Sequence, residues 1–186
     1  MGRIIAVANQ RVVWEKQQLQ LTYLHVWLHW EKKVLAIDMD PQGNMTSGLG
    51  IDKNEVKYTV YDLILGQVDI KKVICKNALE NLDILPTNID LSAAEIELIG
   101  VEEKEFIIRK EVDKIRENYD FIIIDCPPSL SMLTINAMTT ANSVLVPIQC
   151  EYYALEGLSQ LIHTIDLVKE RLNPELKIEG VVFNNV

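Results

Sequence analysis

Apolar residues along this chain fall into short unbroken runs, separated by longer stretches in which they recur every three or four positions. Ile4–Ala8, Val34–Ile37 and Phe121–Ile124 are rich in Ile, Val and Leu and lack the polar alternation of a half-exposed strand. Runs of this kind fit strands of a parallel sheet covered on both faces. Leu82–Leu85, Val144–Ile148 and Ile178–Phe183 read as further strands. Between them the period changes. Ser92-Ala93-Ala94-Glu95 has the form of a capping box opening a short helix. Ile108, Val112, Ile115 and Tyr119 recur at helical spacing, as do Leu155, Leu158, Ile162, Ile165, Val168 and Leu172, which stop at Asn173-Pro174. The alternation predicts an open, mostly parallel, doubly wound α/β sheet with helices on both faces and a ligand site at the carboxyl ends of the strands. No internal repeat or linker interrupts it, so residues 1–186 are expected to form a single domain.

Composition agrees and narrows the class. The length of 186 residues suits one domain, and 48% hydrophobic with 24% charged residues is too apolar for a disordered chain. A net charge of −9 argues against a generally basic protein that coats nucleic acid. Cys75, Cys126 and Cys150 are too scattered for a disulfide framework or a structural zinc site. The start lacks the pattern of a secretory signal, and no run reaches about 18 apolar residues. A cytoplasmic protein is expected.

The chemistry gathers where the apolar runs end. Asn9-Gln10 follows the first, Asp38-Met39-Asp40-Pro41-Gln42-Gly43-Asn44 the second, and Asp125-Cys126-Pro127-Pro128-Ser129 the third. A carboxylate directly after a buried strand stands where a Mg²⁺-nucleotide would sit in a P-loop enzyme. A single such Asp can equally cap the next helix. Two in one short chain, in Pro-Gln-Gly-Asn and Cys-Pro-Pro-Ser contexts, are more specific.

The segments IIAVANQ (4–10), KKVLAIDMDPQGNMTSGLGID (32–52), ENLDILPTNIDLSAAEIEL (80–98), YDFIIIDCPPSLSMLTINAM (119–138) and SVLVPIQCEYYALEGLSQL (143–161) together resemble the ParA/Soj group of chromosome- and plasmid-partitioning ATPases, P-loop proteins with a deviant Walker A motif. The likeness covers nearly the whole chain outside 11–31. It implies a sheet that binds ATP and Mg²⁺, an ATP-dependent homodimer, and non-specific DNA binding by that dimer on the nucleoid. It also implies hydrolysis stimulated by a ParB-type centromere-binding partner, with no membrane contact. By position, Asp40 matches the carboxylate that orients the attacking water. Asp125 matches the Walker B aspartate, acting on Mg²⁺ mainly through water. Asp38 is expected to support the loop.

One segment departs from the family. After Asn9-Gln10 the family has KGGVGKTT, and this chain has RVVWEKQQ. The family's glycines let backbone N–H groups close around phosphates. Here Arg11 replaces the first signature lysine, Lys16 stays in register as the phosphate lysine, and Gln17 replaces the magnesium-binding threonine. Val12, Val13 and Glu15 stand where glycines are needed, and a carboxylate there also repels a polyphosphate. As written, the chain is expected not to bind ATP in the family's manner.

The genetic code offers an origin for the departure. The family loop can be written AAG GGT GGT GTG GGA AAA ACA ACA. With one A removed, it reads AGG GTG GTG TGG GAA AAA CAA, which encodes Arg11-Val12-Val13-Trp14-Glu15-Lys16-Gln17. Continuing the shift turns residues 18–30 into TTAVNLSACLASL, a typical family helix, and an A restored near Lys32-Lys33 returns the frame. Composition alone would make 11–31, which holds all three Trp, an aromatic core helix. The frame argument replaces that reading. Past Phe183, one inserted A in ACA ATG TAT GAT yields Asn184-Asn185-Val186 and a stop, so a C-terminal truncation is also expected.

The remaining single residues carry little chemistry. Each cysteine reads as a small buried hydrophobe, and His163 as a surface or boundary residue of a helix. His25 and His29, four apart, lack a carboxylate between them to complete a metal site.

Overall fold

A computed structural model of the chain describes residues 2–9, 31–149 and 154–184. Seven strands form one sheet: β1 (Arg3–Val7), β2 (Val34–Asp38), β3 (Cys75–Leu79), β4 (Leu82–Leu85), β5 (Phe121–Asp125), β6 (Ser143–Gln149) and β7 (Lys177–Asn184). Their order is β3-β4-β2-β5-β1-β6-β7, parallel throughout except for the β3–β4 hairpin. All six strands expected from the apolar runs are present, within a residue or so at each end.

The described helices are α1 (Asn44–Gly48), α2 (Val60–Ile64), α3 (Ile70–Val73), α4 (Ala94–Glu97), α5 (Ile107–Asp113), α6 (Met132–Thr140) and α7 (Ala154–Arg171). Strand residues alternate between two cores. Ile4, Ala6, Leu35, Ile37, Ile122 and Ile124 face one core, with Val60, Leu63, Ile108, Val112, Leu133 and Ile165 from the helices. Ile5, Val7, Val34, Ala36, Ile84 and Ile123 face the other, with Met45 and Leu49. Burial on both faces is why these strands are apolar without interruption.

Four details differ from the sequence reading. Strand β3 was not anticipated: as an antiparallel edge strand it exposes Lys76, Asn77 and Leu79, so it shows no apolar run. Asn81, at φ 61°, makes the tight turn into β4. The capping box at Ser92 is absent. Asn88 instead accepts from the Asp90 N–H and opens a 3₁₀ turn (Ile89–Ala93) that runs into α4, while Ser92 donates to the Ile89 carbonyl. A true capping box lies at Thr59 and Asp62, opening α2. Tyr119 is not helical. The helix α5 ends at Asp113, and Tyr119 follows a short 3₁₀ turn with extended backbone, donating its hydroxyl to Asp83 at 2.7 Å. In α7, Leu161 joins Ile165 and Val168 as a buried position, whereas Ile162 is only half-buried.

Asn173 gives the stop after α7 a second use. Its Nδ2 donates to the carbonyls of Met138 (3.0 Å) and Ala141 (2.8 Å), satisfying the end of α6. Cys126 is fully buried, Cys75 is half-buried on the edge strand, and Cys150 lies outside the described residues.

Candidate functional site

Parallel strands bring their carboxyl ends to one edge of the sheet, and there the acids meet. Asp38 ends β2 and Asp125 ends β5; the two are register partners, and Asp125 also pairs with Val7 of β1. Both are buried, Asp38 completely and Asp125 to 3% exposure. The chain leaves β2 with the Met39 N–H donating to the Asp125 carbonyl at 2.9 Å, which holds the next residues against β5.

Asp38 then organises the loop. Its Oδ1 accepts from the Asp40 N–H (3.2 Å), and its Oδ2 accepts from both the N–H (2.8 Å) and the hydroxyl (2.7 Å) of Thr46. Thr46 is fully buried and in turn accepts from the Thr87 N–H beyond β4 at 3.1 Å. One carboxylate thus ties together the ends of β2 and β4 and the start of α1.

Asp40 closes the turn itself. Its Oδ1 accepts from Gln42 N–H (3.0 Å) and its carbonyl from Gly43 N–H (2.8 Å). Gly43 has φ 62°, and a Cβ there would stand 3.2 Å from the Thr87 carbonyl, so only glycine fits without strain. Lys53 clamps the far side, donating Nζ to the Gln42 carbonyl at 2.6 Å.

Burial pushes the Asp38 carboxyl up to about 7, and the neighbouring Asp125 charge adds to the rise; the bonds from Thr46 and Asp40 oppose it. Two buried acids side by side form a site that a cation would stabilise. Among the described residues, no group of three or more acidic, His or Cys side chains could hold a metal alone. Mg²⁺ usually keeps several waters and takes only one or two carboxylates from protein, and the paired Asp38 and Asp125 are a donor set of that kind.

The structure brings Asp38, Asp40 and Asp125 together. Arg11, Lys16 and Gln17 lie outside the described residues. Sequence reasoning passed over Thr46, Thr87 and Lys53. Thr87 could have been found by the same strand-end logic, two residues after β4, whereas Thr46 and Lys53 carry no distinguishing signal.

Comparison with known proteins identifies the lineage. Residues 2–178 match the family described as an AAA domain. Over 183 residues the chain is 48% identical to the sporulation initiation inhibitor protein Soj of Bacillus subtilis, covering 98% of this chain and 72% of that protein. The chain belongs to the ParA/Soj family of P-loop ATPases. The chromosome partitioning protein ParA of Myxococcus xanthus is 46% identical, with 98% of this chain and 65% of that protein covered. The chain thus spans about two thirds to three quarters of the length of these ParA/Soj relatives.

The ParA/Soj sheet also superimposes on a solved structure. Cobyrinic acid a,c-diamide synthase of Mycobacterium smegmatis, with bound ATP analogue and magnesium, matches with a TM-score of 0.93 at 36% identity, covering 98% of this chain and 75% of that one. The mostly parallel sheet with flanking helices is the P-loop NTPase fold. No helix among the described residues is long and apolar enough to cross a membrane.

Proposed function

We propose that this chain derives from a ParA/Soj-type partitioning ATPase, and that it keeps the metal and water side of the site while lacking the phosphate loop. The observation that carries this reading is the buried Asp38–Asp125 pair with Asp40 one turn beyond it. In this assignment Asp125 holds a hydrated Mg²⁺, Asp40 orients water, and Asp38 positions the loop through Thr46. Bound Mg²⁺-ATP would supply a polarised γ-phosphoryl group.

The residues do not fit the phosphates. A phosphate cradle needs close backbone approach, and RVVWEKQQ offers no glycine in the eight positions where the family has three. Lys16 alone retains a phosphate-binding side chain; Arg11 and Gln17 replace the other two signature groups. We assign this loss to single-base slips that shift the frame through 11–31. The ATP-dependent homodimer, non-specific DNA binding and ParB-type stimulation then belong to the in-frame protein, as does any nucleoid location in the cytoplasm. The single-domain reading of 1–186 belongs to the same proposal.

The competing reading is a pseudo-ATPase that binds only protein partners, and Glu15 within the loop favours it for the literal chain. Binding of a fluorescent ATP analogue with Mg²⁺ tests the assignment. The literal chain is expected not to bind, and a version carrying the shifted 11–31 reading is expected to bind. Binding by the literal chain, or none by the repaired one, overturns the proposal.

A further inference from the structure

The turn that carries Asp40 is closed from within. Asp40 Oδ1 accepts from the Gln42 N–H at 3.0 Å, and the Asp40 carbonyl accepts from the Gly43 N–H at 2.8 Å. Both donors belong to the peptide groups on either side of Gln42, an exposed residue, and Pro41 beside it has no N–H to add. A surface turn held only by its own bonds exchanges them readily for bonds to water. The orientation of the Asp40 carboxylate therefore depends on a group outside the turn that keeps the Gln42 peptides in place.

Lys53 supplies that group. Its Nζ donates to the Gln42 carbonyl at 2.6 Å, a short, charge-assisted bond. The same peptide group carries the Gly43 N–H, so the ammonium polarises the amide that bonds back to Asp40. The lysine stem also crosses the turn: a Cβ on Gly43 would stand 3.1 Å from Lys53 Cδ. The backbone on either side of Lys53 is tied down. The Ile51 N–H donates to the Thr46 carbonyl at 3.2 Å, and Asp52 Oδ1 accepts from the Asn54 N–H at 2.9 Å and its Nδ2 at 3.1 Å. Thr46 is itself held by Asp38, which also accepts from the Asp40 N–H. Lys53 and Asp40 thus hang from one buried carboxylate and meet again at Gln42.

We propose that Lys53 is a positioning residue for Asp40: it locks the Gln42 peptides and through them sets the rotamer of the carboxylate. It acts only through the turn and touches neither nucleotide nor water in this role. The consequence for turnover rests on the nucleotide reading above, whereas the effect on Asp40 itself does not.

The test starts with the ¹⁵N,¹³C-labelled chain of 186 residues. Lys53→Met keeps the stem and removes the ammonium. Three-bond couplings are expected to show one χ1 rotamer for Asp40 in the parent and averaging over rotamers in this variant. The Gln42 and Gly43 amides are expected to exchange about tenfold faster or more in it, while those of Thr46 and Thr87 keep the parent rate. Lys53→Arg retains a cationic donor and is expected to restore both readouts. In the chain repaired through 11–31, Lys53→Met is expected to lower turnover about tenfold or more, with ATP-analogue affinity within about twofold of the parent. There too, Lys53→Arg is expected to recover most of the loss. An unchanged Asp40 rotamer in Lys53→Met would overturn the proposal. So would equal acceleration at Thr46 and Thr87, which would mean general loosening, or equal losses of affinity and turnover, which would place Lys53 on the nucleotide. A repaired parent without turnover, beside the expected rotamer change, would strike the nucleotide reading and leave the role of Lys53 in place.

Discussion

Asp38 and Asp125 face each other across β2 and β5 as register partners, both buried, so that the folded chain holds two carboxyls where one charge is already costly. The Asp38 carboxyl is pushed up from its ordinary 3.8 to about 7, first by burial and second by the Asp125 charge. Above about pH 7 it is ionised in both states, and the folded state bears the full cost of the buried charge. Between about pH 4 and 7 the folded state binds a proton that the unfolded chain does not, so this group makes stability fall as pH rises through that window. The difference is on the order of a few kcal/mol. Urea unfolding at several pH values is expected to show the slope, and Asp38→Asn to flatten it. Asp125→Asn is expected to narrow the window from its upper end, because burial alone then raises Asp38.

Thr46 carries the bond that relieves Asp38. Its hydroxyl donates to the carboxylate and accepts from the Thr87 N–H, in a fully buried position. Thr46→Val keeps the shape but strands that N–H and removes one donor from Asp38. The expected loss is about 1–3 kcal/mol of stability, with faster hydrogen exchange at the Thr87 amide. Thr46→Ser retains both bonds and is expected to lie close to wild type. An unprotected Thr87 amide in the wild-type chain would contradict the network.

These two threonine contacts show where the sequence stops being informative. Strands β1, β2 and β5 were legible because burial on both faces leaves only apolar residues between their ends, and β4 was legible although its buried Asp83 interrupts the run. The acids were legible because they break those runs at their ends. Thr46 looked like any other helix residue, and its bond to Asp38 exists only because the loop folds back over eight positions. Strand β3 was illegible for the opposite reason: an edge strand has one partner and polar exposed positions, so Lys76-Asn77 reads as loop. Ser92 misled because a nearer cap, Asn88, takes the helix start first.

At the opposite end of the sheet, the Tyr119 hydroxyl donates to Asp83 at 2.7 Å, and the second oxygen of Asp83 accepts from the Asn77 N–H at 3.0 Å. Burial and the adjacent carboxylate hold the phenol in its protonated form. Tyr119→Phe leaves the buried carboxylate with one of its two bonds. The expected cost is about 1–3 kcal/mol in denaturant unfolding. A change within a few tenths of a kcal/mol would mean that water replaces the hydroxyl. The ring also stacks under Lys33, whose ammonium lies 5.5 Å from its centre, and phenylalanine keeps that contact.

The division of labour proposed for the acids can be read only where phosphates bind, so its test belongs in the chain repaired through 11–31. There, Asp125→Ala is expected to weaken Mg²⁺-dependent nucleotide binding, because the cation loses its protein carboxylate. Asp40→Ala is expected to leave binding within a few-fold of the parent and to lower turnover by about 10²-fold or more, the range of a positioned proton acceptor. Asp38→Ala is expected to impair both together, since the Asp40 N–H and Thr46 lose the group that orders them. Titration of a fluorescent ATP analogue over a range of Mg²⁺, with phosphate release measured in parallel, separates the three. Equal loss of binding in Asp40→Ala and Asp125→Ala would show that the two carboxylates share the metal, and Asp40 would then have no separate role with water.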